Sequence, residues 1–183
     1  MGKLEENRMI AQSGFMIKKS HTKASATSVA TYSDCEKYRY SLVRIWKPNK
    51  RRLVFVMLNP STATEIFNDP TVERCERRAR KLDYGSFQVI NIFAWRATDP
   101  KKMRSSKDPI GPDNDVSILE ACDWCDDIIA AWGSHGAHLK RGIQVEKILR
   151  NSSKPIFHLG LSKQGHPKHP LYISYSKKPE RWI

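Results

Sequence analysis

No stretch of this 183-residue chain approaches the roughly 20 consecutive apolar residues that a membrane-spanning helix needs. The start of the chain also lacks the apolar core of a secretory signal. A cytoplasmic protein with no membrane partner is therefore expected. Cysteine is sparse, at four residues, Cys35, Cys75, Cys122 and Cys125, which should be reduced in such a compartment. Cys122-Asp123-Trp124-Cys125 has metal or redox spacing, but no second CxxC and no HxxxH accompanies it. A zinc site would need two more ligands from afar. The simpler expectation is two small residues near a helix end, one or both buried, with no metal and no cofactor. No internal repeat and no low-complexity tract is present. Acidic residues are the main shortage: 19 Asp+Glu against 32 Lys+Arg leave a net charge of +13. That excess points to a polyanionic partner, nucleic acid first, and charge alone does not separate DNA, RNA and a free nucleotide. A merely solvated surface is the plain alternative.

What is present suits one folded domain. With 39% hydrophobic residues, a single α/β domain over 24–183 is expected, preceded by a flexible arm over 1–23 that shows no sustained periodicity. The organising stretch is 53–63. Its six apolar residues, Leu53 to Leu58, sit between a basic turn and Asn59-Pro60-Ser61, which reads as a strand buried on both faces. Before it, residues 38–46 alternate as a strand. The turn Lys47-Pro48-Asn49-Lys50 would make these two a hairpin, with the first as an antiparallel edge strand.

Asp69-Pro70-Thr71 predicts a helix start, with Asp as cap and Pro at the first position. Val72, Cys75, Ala79 and Leu82 form the apolar stripe, and Gly85 suits the exit. The opposite face, with Arg74, Arg77, Arg78, Arg80 and Lys81, is by default solvated. Further strands are expected over 87–93, 127–132 and 155–160, and further helices from Asp113 to about Cys125 and around 139–149. The order β-β-α-β-α-β-α-β predicts helices on both faces of a mostly parallel sheet.

Four strand ends then carry polar signatures: Asn59-Pro60-Ser61, Arg96-Ala97-Thr98-Asp99, Gly133-Ser134-His135 and His166-Pro167-Lys168-His169. In a parallel sheet these ends share one edge, where ligands bind. Several residues keep two readings. Arg96 is either a clamp for phosphate or carboxylate, or a partner of Asp99 or Asp113. Asp113-Asn114-Asp115 is either a metal cluster or, more simply, a helix cap. Trp95 and Trp132 either stack on a base or fill the core rim, His135 is open, and His158 reads as a core histidine.

The set Asn59-Pro60-Ser61-x-Ala63, Asp69-Pro70-Thr71, Asn91-Ile92-Phe93-Ala94-x-Arg96-x-Thr98-Asp99-Pro100, Gly111-Pro112-Asp113-Asn114-Asp115, Ala131-Trp132-Gly133 and His169-Pro170-Leu171-Tyr172 resembles a bacterial and phage family. It is known as a domain of unknown function, number sixteen-forty-three, and the likeness spans about 33–173. A more distant resemblance links Asn59-Pro60, Trp132-Gly133-Ser134-His135 and His169-Pro170-Leu171-Tyr172 to the uracil-DNA glycosylase superfamily. Met57 stands where that first motif has Gly, and Leu171 where Ser follows His-Pro.

This second resemblance implies a three-layer α/β/α sandwich around a four-stranded, mostly parallel sheet, and glycosylase-like hydrolysis of a base–sugar bond in DNA. Asn59 would orient a water and His169 would bond the departing base. Leu171 would be an apolar wedge, and Lys163 and Lys168 would hold phosphates. Phe67 or Phe93 would supply the stacking aromatic. Asn59 and His169 are thus the candidate catalytic pair. Ser61, Asp69, Thr71, Asn91, Arg96, Thr98, Asp99, Asp113, Asn114, Trp132, Gly133, His135, Lys168, Leu171 and Tyr172 are the candidate substrate-binding set. A non-catalytic nucleic-acid binder remains open, as does an enzyme on a free nucleotide or phosphorylated metabolite that uses Arg96 and Asp113.

Overall fold

The structure is a computed structural model that describes residues 15–183. Its strands are β1 (Met16–Lys23), β2 (Ala26–Ser33), β3 (Arg39–Ile45), β4 (Arg52–Met57), β5 (Ser86–Asn91), β6 (Asp127–Ala130), β7 (Ile156–His158) and β8 (Glu180–Arg181). The helices are α1 (Pro70–Lys81), α2 (Pro100–Arg104), α3 (Asn114–Trp124) and α4 (Arg141–Asn151). All the strands join one mixed sheet of order β1-β2-β3-β5-β4-β6-β7-β8. Within it β5, β4, β6 and β7 are mutually parallel. Strands β1 to β3 extend it antiparallel on one side, and β8 on the other. The sheet thus has eight strands, where four mostly parallel strands and one antiparallel edge strand were expected.

Strand β4 lies at its centre, as its two-sided apolar pattern requires. Leu53, Phe55 and Met57 face a core built with Val72, Cys75 and Ala79 of α1. Val54, Val56 and Leu58 face the opposite core, built with Ile118, Ala121 and Cys122 of α3 and Val145 and Leu149 of α4. Each such side chain, fully buried, contributes about 1.5–3 kcal/mol of transfer free energy. Cys122 and Cys125 are both buried at the end of α3.

Two expectations for the first third of the chain are corrected. The arm expected over 1–23 falls partly outside the described residues, and Met16–Lys23 is strand β1 rather than arm. It pairs with β2 along its whole length, Met16 with Ser33 through Lys23 with Ala26. Nor do β3 and β4 form a hairpin: β3 pairs with β2 and β5, so it is no edge, and β5 separates it from β4. The turn between β3 and β4 crosses the start of β5 at Gly85. There the Trp46 and Lys47 N–H groups donate to the Gly85 carbonyl, and the Gly85 N–H donates to the Arg51 carbonyl. A Cβ on Gly85 would come within 1.9 Å of the Lys47 carbonyl oxygen. Gly85 therefore serves this crossing and not the exit of α1, which turns through Asp83 at φ 62°.

Helix α1 starts as expected, with the Val72 N–H donating to Asp69 Oδ1 at 2.8 Å. Its basic face is only partly solvated. Arg77 and Arg80 form exposed pairs with Glu73 and Glu76. Arg74 and Arg78 instead reach across to the segment 170–177 and donate to its carbonyls.

Candidate functional site

Strand β4 connects through α1 to β5 on one side of itself, while the chain then returns across to β6 and β7 on the other. Between the carboxyl ends of β4 and β6 the connections diverge, and such a point leaves a crevice. A cavity of about 560 Å³ lies there. It is lined by the candidate residues Asn59, Ser61, Asp69, Thr71, Asn91, Thr98, Trp132, Gly133, His135, His169, Leu171 and Tyr172. The remaining candidates, Arg96, Asp99, Asp113, Asn114 and Lys168, lie off its wall, and neither Phe67 nor Phe93 reaches it. Phe67 is exposed on the loop before α1, and Phe93 is buried in the core beside His138.

Asn59 sits just past β4, where the strand yields to Pro60. Its Nδ2 donates to the Ala97 carbonyl at 2.7 Å and to the Pro60 carbonyl at 3.1 Å. Both amide hydrogens face carbonyls, so the orientation of the group is fixed and Oδ1 is left to accept. His169 caps the short 3-10 turn Pro170–Tyr172 and accepts the Leu171 N–H at Nδ1, 3.3 Å away. In the neutral ring the proton is therefore on Nε2. Burial pushes the imidazole below its ordinary pKa, against a smaller opposing pull from Asp69.

The loop carrying His169 is tied to β6 by the Gly133 N–H, which donates to the Pro167 carbonyl at 2.8 Å. At φ 73° Gly133 adopts a backbone that side chains disfavour. Tyr172, 90% exposed, stands at the cavity mouth. His135, which lines the cavity, meets Arg104, Nδ1 to Nη1, at 3.0 Å.

Asn91, the last residue of β5, is 2% exposed yet lines the cavity, and its Oδ1 has no partner among the described residues. Asn114 explains how Asn91 is held. Fully buried at the start of α3, its Nδ2 donates to the Asn91 and Ile92 carbonyls at 3.1 and 3.0 Å. Arg141 adds a bond from Nε to the Ile92 carbonyl at 2.8 Å and pairs with Asp115. Asn114 thus supports the cavity from behind rather than lining it. Asn114→Ala leaves two buried carbonyls without this donor and should destabilise the protein by about 1–3 kcal/mol, read from urea unfolding midpoints. An unchanged midpoint would contradict this role.

Asp69 gives one oxygen to the α1 cap and the other to the Ala63 N–H at 3.3 Å. Its first role is therefore to shape the loop, although it also borders the cavity. Asp99 caps α2 through the Lys101 N–H at 2.8 Å. Asp113 occupies the cap position of α3 but makes no side-chain cap bond. Among the described residues, no group of three or more His, Cys, Asp or Glu is placed to hold a metal ion. The Lys168 backbone N–H bonds to the Gly160 carbonyl, and its stem lies along Gly160. His158 is buried and accepts the Gly160 N–H at Nδ1, a core role.

Sequence reasoning missed Arg39, Thr62 and Ser134, which also line the cavity. Arg39 is buried, its Nε is unpartnered, and desolvation pushes its pKa down to about 10 despite the nearby Asp69. The one available signal was a cation on a strand that turns out to be interior.

Residues 39–171 match the family described as "Protein of unknown function (DUF1643)", and the chain belongs to that family. No curated protein and no solved structure matches it.

Proposed function

We propose that the cavity receives a nucleobase turned out of a DNA strand and that the protein hydrolyses its bond to the sugar. The observation that carries this reading is that Asn59, Asn91 and His169 line one cavity, each with a side-chain polar atom left for a ligand. Asn91 presents a buried side-chain amide, the group suited to reading the hydrogen-bonding edge of a flipped base. Asn59 Oδ1 accepts from a water and aims it at the anomeric carbon. As the C–N bond breaks, its electron pair moves onto the base and builds charge on a carbonyl oxygen. The His169 Nε2–H donates to that oxygen, a neutral donor already in place. Water adds to the sugar carbon, and the proton it releases balances the departing base anion. The net charge of +13 supplies the sequence-independent attraction to DNA.

The test is base release from a panel of DNA strands carrying uracil, other deaminated or alkylated bases, and mismatches. The protein should release one class of base. Asn59→Ala should slow that release about 100-fold or more with DNA binding kept. If no panel member loses a base and Asn59→Ala binds identically to the parent, the protein is a binder and the hydrolytic reading is wrong.

A further inference from the structure

Beside the base cavity runs a second, more open groove of about 660 Å³, lined by Trp95, Arg96, Asp99, Lys102, Ser105 and Ser106. Ala97 and Thr98 line both spaces. That shared wall is also where the Ala97 carbonyl holds Asn59 and the Thr98 hydroxyl meets Ser61 Oγ at 3.4 Å. Resting on the reading above, we infer that this groove holds the phosphate attached to the nucleotide whose base fills the cavity, with Arg96 and Lys102 as its cationic partners.

Arg96 carries most of the case. Neither Asp99 nor Asp113 lies within salt-bridge distance of it, so it does not pin the loops by a carboxylate. Among the described residues its one side-chain hydrogen bond runs from Nη1 to the Glu36 carbonyl at 3.0 Å. Its guanidinium carbon lies 5.1 Å from the centre of the Tyr32 ring, and its Nε is buried with no partner. The side chain is therefore steered by an aromatic face and one carbonyl, and among the described residues no carboxylate pairs with it. A guanidinium held this way suits a phosphate, whose oxygens take two N–H donors at once. Lys102 is exposed and forms no ion pair among the described residues. The Asp99 carboxylate caps α2, so one of its oxygens is already engaged. Counting Arg96, Lys102 and Asp99, the lining keeps one net positive charge. Ala97 and Thr98 border both spaces, so a nucleotide with its base in the cavity and its sugar across that wall would put its phosphate in the groove.

The phosphate has two possible sources, a DNA strand or a free nucleotide. The test uses the full chain with short single-stranded DNA, and in parallel a nucleoside 5′-monophosphate and its nucleoside. Replacing one phosphodiester beside the recognised base with a neutral methylphosphonate should weaken binding to the parent protein. The same replacement should leave binding to Arg96→Gln unchanged. Arg96→Gln and Lys102→Gln should each lower the slope of log affinity against log salt by roughly 0.7, the value for one phosphate contact on a single strand. Lys102→Gln changes an exposed side chain and keeps the test readable if Arg96→Gln folds poorly.

A matching preference for the monophosphate over the nucleoside, lost in Arg96→Gln, would assign the free nucleotide as the source. An effect confined to DNA would assign the strand. A methylphosphonate penalty of equal size in the parent and in Arg96→Gln, together with an unchanged salt slope in Lys102→Gln, overturns the inference. Because these readouts are binding alone, a phosphate-dependent result without base release would remove the hydrolytic reading and leave this site standing.

Discussion

His169→Ala should slow base release about 10²–10³-fold, the usual cost of removing one preorganised donor to developing negative charge. The size follows from how the ring is held. The Leu171 N–H engages Nδ1, so the donor at Nε2 is set before substrate arrives and needs no reorganisation. Burial lowers the imidazole pKa below its ordinary 6.5, so the ring is mostly neutral at pH 7. Single-turnover rates should then fall with acid at a lower pH than an ordinary imidazole would give. In that range protonation of Nδ1 removes the acceptor that the Leu171 N–H uses.

Stability is linked to the same group with a definite sign. The unfolded histidine takes up a proton first as pH falls through 6.5, so stability drops from there down to the lowered native pKa and levels off beneath it. His169→Gln keeps an N–H donor of similar reach and should recover part of the rate. A His169→Ala variant within threefold of the parent, with its melting temperature unchanged, would sink the leaving-group role.

How much of this was legible in the sequence depends on which physical pattern each residue obeyed. Strand β4 was legible because both of its faces are apolar, and Leu53 and Val54 enter opposite cores. The start of α1 was legible because Asp69 and Pro70 carry local cap chemistry. The convergence of Asn59, Gly133 and His169 followed from topology, since parallel strands place their carboxyl ends on one edge. Strand β1 was not legible: an edge strand with hardly any burial has no alternation to read, and its pairing with β2 is set by backbone bonds. The Gly85 crossing was hidden because a six-residue turn with Pro and Asn looks the same whether it joins neighbours or skips a strand. Asn114 and Arg39 were misplaced or missed because polar residues read as exposed, whereas here they satisfy or border buried backbone. The same bias made the arginines of α1 look like a solvated face.

Arg78 shows what that bias conceals and gives the largest expected effect on stability. It is 2% exposed, and it donates to the Lys177, Ser174 and Ile173 carbonyls at 2.8, 2.9 and 3.2 Å. Burial pulls its pKa below the ordinary value, the mark of a cation stripped of water, and the three carbonyls offset part of that cost. Arg74 extends the clamp to the Pro170 and Ile173 carbonyls and lies 4.6 Å from the centre of the Tyr175 ring. Residues 170–177 are thereby fastened to α1, and the 3-10 turn that His169 caps is fastened with them.

Arg78→Met keeps the packed stem and removes the donors. Each charge-assisted bond contributes about 1.5–3 kcal/mol, but the three share one group and the freed carbonyls regain water. The expected net loss is about 3 kcal/mol, or about 6–12 °C in melting temperature for a domain of this size. The loss should be concentrated locally. Amide hydrogen exchange should quicken first at residues 169–177, whereas β4 and β5, held by both cores, should keep their protection. A shift under about 1 kcal/mol with exchange at 169–177 unchanged would mean that this segment is held by something other than α1. In that case the neutral, oriented His169 would need a different physical cause.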